Sequence, residues 1–237
     1  MIKKISTWIL GKVKEAGAKG TITGLSGGLD SAVVALLCKK AVGKNHLCLI
    51  LPCESSRKDV SDAEHIARKF KLKTKTVNLT PIYRHFLKIL PPARKIARGN
   101  LKARLRMITL YYFANKLNYI VSGTGNKSEI IMGYFTKYGD GGVDILPIGN
   151  ILKRDVRKLA CLLNVPEKII LKKPSAGLWQ GQTDEGEMGI TYDKLDSTIN
   201  RMGKTPGKQS KDTLTVRIIK QMERTKHKSN PPEIFRG

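Results

Sequence analysis

Apolar residues follow two rhythms along this chain. Ile5, Trp8, Ile9 and Val13 recur at helical spacing and predict an amphipathic helix over residues 2–16, ended near Gly17. Thr21-Ile22-Thr23 is β-branched and suits a short strand, while Ala32 to Cys38 is apolar on every side, as a buried helix is. His46 to Cys53 reads as a buried strand, and Lys58 to Phe70 as a helix with Val60, Ala63, Ile66, Ala67 and Phe70 on one face. Thr74 to Leu79 returns as a strand. This βαβαβ alternation predicts an α/β fold, a doubly wound and mostly parallel sheet with right-handed crossovers and helices on both faces.

The second half is less regular. Residues 80–106 form a basic, proline-interrupted stretch with eight Lys or Arg and no acid between Arg84 and Arg106. It leads into a helix from Asn100 to Leu117, with Leu101, Leu105, Ile108, Tyr111 and Tyr112 on an apolar stripe and Lys102, Arg104 and Arg106 projecting elsewhere. Tyr119 to Thr124 is the next strand, and Gly125 to Glu129 turns from it into a short helix. Gly133 to Pro147 is a glycine-rich loop closing into a strand at Val143 to Leu146. A helix follows from Lys153 to Leu163, a short element after Pro166, and a segment from Lys172 to Glu187 that is expected to be mobile. Tyr192 to Met202 and Thr213 to Lys226 read as helices, joined by a Gly/Lys/Pro linker and followed by His227-Lys228 and a proline-containing tail.

Between the first strand and the first buried helix lies Gly24-Leu25-Ser26-Gly27-Gly28-Leu29-Asp30-Ser31, with three glycines in five residues. Glycines allow positive φ and close backbone approach, and the first turn of the helix presents unpaired N–H groups, so the stretch is an anion site suited to phosphate. It is not a Walker A loop, because no lysine follows the last glycine. An acid beside a phosphate cradle calls for a cation between them, which makes Asp30 a candidate Mg²⁺ ligand.

Composition narrows the class. At 237 residues with 41% hydrophobic content, the chain suits one substantial α/β domain. It has no run of about eighteen apolar residues, and the first ten are too short and charged for a signal peptide, so a cytoplasmic protein off the membrane is expected. Cys38, Cys48, Cys53 and Cys161 form no CxxC pair and read as buried thiols. The net charge of +25, from 44 Lys and Arg against 19 Asp and Glu, argues for an anionic partner: a polyphosphate needs a local cluster, a nucleic acid an extended basic face. Solubility or growth temperature is the preferred account of the bulk of the basic excess.

The SGGLDS motif at Ser26 resembles the pyrophosphate loop of N-type ATP pyrophosphatases, which names a chemistry rather than a substrate. Five further stretches agree in order with one branch: GNLKARLRM at Gly99, SGTGNKSE at Ser122, GYFTKYGDGGVDILP at Gly133, KKPSAGLWQ at Lys172 and HK at His227. Together they resemble the ammonia-dependent NAD synthetases along nearly the whole chain. That resemblance implies an adenine nucleotide alpha hydrolase-like fold, residues 1–237 as one synthetase domain without a glutaminase domain, and a homodimer sharing its dinucleotide site. It implies the formation of NAD from deamido-NAD (nicotinic acid adenine dinucleotide), ATP and ammonia through an adenylated carboxylate, with Mg²⁺ as cofactor.

Carried over residue by residue, the resemblance makes Asp30 and Glu129 the metal ligands and, with Lys153, the catalytic set. Gly24, Leu25, Ser26, Gly27, Gly28, Leu29, Asp30, Ser31, Thr124, Lys153 and Ser175 would bind ATP. Arg104, Lys137, Asp144, His227 and Lys228 would bind deamido-NAD, whose diphosphate and carboxylate call for cations. Taken singly, Glu129 could serve only to complement a helix N-terminus, and Lys153 or Arg104 could be solvated surface charges. One departure stands in the phosphate-contacting loop: relatives carry threonine and an acid, as in PTADL, where this chain has Pro174-Ser175-Ala176-Gly177-Leu178, keeping the hydroxyl and losing the acid. The competing readings are a tRNA-modifying N-type ATP pyrophosphatase, against which stand the missing cysteine pair and RNA-binding domain, and a non-enzymatic nucleic-acid binder, which leaves the glycine loop unexplained.

Overall fold

The computed structural model describes residues 1–204 and 212–235, so the expected linker from Thr205 to Lys211 lies outside the described residues. The chain runs α1 (Ile2–Glu15), β1 (Gly20–Gly24), α2 (Leu29–Val42), β2 (His46–Ile50), α3 (Arg57–Lys69) and β3 (Thr74–Thr76). It continues through α4 (Thr80–Ile89), α5 (Lys95–Leu117), β4 (Tyr119–Val121), α6 (Lys127–Met132), α7 (Lys153–Leu162) and α8 (Glu167–Ile170). Helices α9 (Asp184–Met188), α10 (Tyr192–Lys204) and α11 (Thr213–Thr225) complete it.

The described strands form one parallel sheet in the order β3-β2-β1-β4. Successive strands step outward from β1 to β2 to β3, then the chain crosses back and lays β4 on the other side of β1. The order reverses between β1 and β4, and in an open parallel sheet such a reversal opens a ligand crevice beyond the carboxyl ends of the two strands.

Alternation in β2 explains the two-sided burial. Cys48 and Ile50 enter a core built with α1, α2, α3 and α7, while Leu47 and Leu49 join Ile22, Val121, Tyr83 and Leu105 beneath α4 and α5. Helix α2 is buried nearly all round because it lies between the sheet and α1 and α7. A third cluster, including Met132, Met188, Tyr192, Leu195 and Ile218, packs α6, α9, α10 and α11 against one another. No helix among the described residues is long and apolar enough to cross a membrane.

Several expectations are corrected. The stretch from Thr80 is helical: Pro81 sits in the first turn of α4, where its missing N–H costs nothing, and Pro91-Pro92 separate α4 from α5, which starts five residues before Asn100. Residues 143–146 make only one parallel bridge, Ser122 to Ile145, because Asp144 and Ile145 both donate to the Val121 carbonyl and the chain turns away. Trp8 is largely exposed, as Ile9 and Val13 take the inward face of α1. Cys161 is exposed, since Val156, Leu159 and Ala160 fill the buried face of α7. On α5, Leu105 is buried, but Ile108 and Tyr112 point to solvent and Lys102 is buried instead. Lys102 is held by Glu54 at 3.2 Å and lies over the Tyr83 ring, so its charge is paired where the spacing had placed it outside.

Candidate active site

From Gly24 at the end of β1 the chain turns into α2 around a serine pair. The Ser26 and Ser31 hydroxyls are 3.0 Å apart, and Ser31 donates to the Gly28 carbonyl at 2.9 Å. Gly27 has φ +79°, and a β-carbon there would fall 2.3 Å from the Asp59 carbonyl oxygen, so the turn packs on α3 only as glycine. Gly28 caps α2 with no side-chain acceptor, which leaves the first-turn N–H groups for an anion.

A cavity of about 500 Å³ lies over the carboxyl ends of the strands. Gly24, Leu25, Ser26, Gly28, Leu29, Asp30 and Ser31 line it, as do Thr124, Glu129, Lys153 and Ser175. Nearly all of the expected ATP set therefore shares one space; Gly27 instead turns toward α3.

Lys153 is the centre of that space. Its side chain is 3% exposed, bonds Asp30, and lies 3.2 Å from Glu129 Oε1 and 5.0 Å from the centre of the Tyr192 ring. Burial works against the ammonium charge, but Asp30 and Glu129 outweigh it and raise the lysine above its ordinary pKa. Burial pushes Glu129 up to about 7, with Lys153 opposing and Asp30 reinforcing. Asn126 fixes both acids: its amide donates to Asp30 Oδ1 at 3.1 Å, its backbone N–H donates to Glu129 Oε2 at 3.2 Å, and its Oδ1 accepts the Glu129 N–H at 3.1 Å. The last two bonds are a capping box at the start of α6, so one motif both starts the helix and aims the carboxylate.

Outside this group, Asp196 of α10 accepts from Ser128 Oγ at 2.5 Å and from the Arg154 N–H at 2.8 Å, locking α6 to α7. The segment expected to be mobile is tied at several points. Lys172 pairs with Asp59 at 2.7 Å and Asp62 at 2.8 Å and donates to the Gly27 carbonyl at 3.2 Å, while Lys102 donates to Leu178 O at 3.1 Å.

The expected dinucleotide residues divide. Arg104 donates to the Lys137 carbonyl at 3.3 Å and Lys137 to the His227 carbonyl at 2.6 Å, so three of them form one linked basic row, and none of the three lines the cavity. Lys228 lies at its edge, donating to Gly133 O and Phe135 O and lining the cavity. Asp144 stands apart, with its oxygens taken by Tyr111 Oη at 2.8 Å and the Val121 N–H at 2.7 Å.

Sequence reasoning missed Asn126, Lys172, Asp184, Tyr192 and Asp196. Only Asn126 carried a local signal, its three-residue spacing to Glu129. No group of three or more His, Cys, Asp and Glu among the described residues makes a metal cage by itself. Two carboxylates that already converge on one cation suit Mg²⁺, which takes few protein ligands and completes its shell from phosphate and water.

A family profile described as NAD synthase matches residues 1–232. The chain belongs to the NAD synthase family. The NH(3)-dependent NAD(+) synthetase of Carboxydothermus hydrogenoformans is 49% identical over 238 residues, covering 98% of this chain and 95% of that protein. A protein of the same description from Methanocaldococcus jannaschii is 50% identical, covering 90% of this chain and 85% of its own. Among solved structures, the NMN synthetase from Francisella tularensis matches with TM-score 0.89 and 39% identity, over 98% of this chain and 96% of that one. An NH3-dependent NAD synthetase from Campylobacter jejuni in complex with nitrate matches with TM-score 0.84 and 31% identity, over 99% and 97%. NAD synthase membership separates this glycine loop from those of the tRNA-modifying pyrophosphatases.

The raised carboxyl of this NAD synthase site has a pH signature. Glu129 binds its proton more tightly folded than at the ordinary value of 4.5, so its contribution to stability is complete below 4.5 and lost as pH rises through about 7. Glu129→Gln should flatten that decline in the ligand-free protein, read as urea midpoints at about pH 5 and about pH 8. An unchanged slope would contradict the raised carboxyl.

Proposed function

We propose that the chain catalyses ATP-dependent amidation of deamido-NAD by ammonia, giving NAD, AMP and pyrophosphate. As a NAD synthase it is a ligase with ATP as co-substrate. The observation that carries the reading is the convergence of Asp30, Glu129 and Lys153 on an uncapped helix start, in a cavity that Lys228 also lines.

The chemistry follows from the acceptor. A carboxylate does not react with ammonia until one of its oxygens becomes a leaving group. The nicotinate oxygen attacks the α-phosphorus of ATP, the bond to the β-phosphate oxygen breaks, and an acyl adenylate forms. Ammonia then attacks the carbonyl carbon, AMP departs with the bonding pair, and the nitrogen sheds its extra proton. The uncapped first-turn amides of α2, from Leu29 to Ser31, receive charge on the departing pyrophosphate and cost no reorganisation as it develops. Asp30 and Glu129 would hold Mg²⁺, which when bound screens that same charge. Lys153 offers its ammonium to the phosphates, and the Thr124 and Ser175 hydroxyls line the same wall. Arg104, Lys137, His227 and Lys228 serve the dinucleotide's diphosphate and carboxylate, and Asp144 a ribose hydroxyl or ring amide. The enzyme works in the cytoplasm with free ammonia rather than glutamine, and nucleic acid is not a partner.

Purified protein should release AMP from ATP and Mg²⁺ only when deamido-NAD and ammonium are both present. Asp30→Ala should lower kcat by about a hundredfold or more. Turnover on glutamine equal to that on ammonium would overturn ammonia dependence. Turnover on nicotinate mononucleotide in preference to the dinucleotide would overturn deamido-NAD as the substrate.

The exposed apolar residues Ile108 and Tyr112, one helical turn apart on α5, support a homodimer through this stripe. Light scattering should give a dimer for wild type and a monomer for the double variant Ile108→Glu, Tyr112→Glu. A monomeric, active wild type would refute it.

A further inference from the structure

Asp184, the first residue of α9, is 4% exposed and lines the cavity. Its Oδ2 accepts the Tyr192 hydroxyl at 3.0 Å, but its Oδ1 is buried with no hydrogen-bond partner. The Tyr134 hydroxyl, which also bears on this carboxyl, gives its proton to Glu187 at 2.6 Å. A buried carboxylate oxygen left unpaired is costly and rare in folded proteins, so a partner belongs to the working state.

That partner is a cation. Tyr192 Oη lies 3.2 Å from Glu129 Oε1 as well as 3.0 Å from Asp184, so Asp184 stands one hydroxyl away from the Asp30–Glu129–Lys153 group. When ATP brings its phosphates to the α2 terminus, another bare carboxylate there is repelled unless positive charge arrives with it. On the proposed reading Asp30, Glu129 and phosphate would hold Mg²⁺. The remaining cation of the reaction is ammonium, the form that dissolved ammonia takes almost entirely at neutral pH. The neighbourhood already accepts such a group, since the Lys153 ammonium is bound by carboxylates with the Tyr192 ring beside it.

We infer that the free carboxylate oxygen of Asp184 is the acceptor that captures the ammonium substrate beside the acyl adenylate and takes one of its protons, so that neutral ammonia with a free lone pair attacks the carbonyl carbon as AMP leaves. The assignment rests on the reading of the chain as an ammonia-using amidating ligase.

The test separates the two half-reactions. Asp184→Asn preserves shape and an oxygen for Tyr192 but removes the charge. It should raise the KM for ammonium chloride, at constant ionic strength, by about tenfold or more, as loss of a charge-assisted hydrogen bond does. Deamido-NAD-dependent exchange of pyrophosphate into ATP, which needs no ammonium, should change far less. Hydroxylamine, largely uncharged at neutral pH, should lose much less activity as nucleophile than ammonium. An unchanged ammonium KM, equal losses with both nucleophiles, or collapse of the exchange reaction overturns the assignment while leaving the ligase reading intact. A wild type inert toward deamido-NAD overturns the ligase reading and this assignment with it.

Discussion

One buried ammonium group organises this site. Lys153 is 3% exposed and lies between carboxylates from two other elements, Asp30 at the start of α2 and Glu129 at the start of α6. An isolated charge at such depth is untenable, and breaking a buried pair by removing one member costs on the order of 3–5 kcal/mol. Helices α2, α6 and α7 must therefore meet where they do, and the reversal of strand order between β1 and β4 makes that meeting possible. Asp196 reinforces the junction by capping the start of α7 and holding Ser128 of α6. The same lysine keeps two like charges from repelling one another before any substrate binds.

The site is thus built with opposed charge on its two sides. Uncapped amides at the start of α2 and the cations Lys172, Arg106 and Lys228 face the cavity, and so do Asp30, Glu129 and Asp184. Neither set suits a neutral ligand. A polyanion arriving with its own cations satisfies both, which is what ATP with Mg²⁺ and an ammonium ion would bring. The basic excess of +25 is not used up here, and much of it lies on exposed helix faces that the site does not require.

The glycine loop, the parallel sheet and Asp30 were readable because each depends on local sequence: glycines at a strand-to-helix turn, alternating apolar runs, an acid inside the turn; Glu129 came only through the family resemblance, since alone it reads as an acid at a helix start. Asn126 was readable in principle through its spacing to Glu129. Tyr192, Asp184 and Asp196 were not, because they reach the site through the packing of α9 and α10 on α6, and nothing near them in sequence announces it. Lys102 and Lys172 look like surface lysines in a chain rich in them, and only tertiary contact with Glu54, Asp59 and Asp62 distinguishes them. The helix α4 was missed because its prolines were read as breaks, although Pro81 lies in a first turn, where proline is compatible with a helix.

The central dependence is the pairing of Lys153 with Asp30. A double-mutant cycle on the ligand-free protein, with Asp30→Asn, Lys153→Met and the combined variant compared by urea unfolding, measures it directly. The account predicts a coupling of about 1.5 kcal/mol or more, with the double variant more stable than the sum of the single losses implies. A coupling near zero would contradict it.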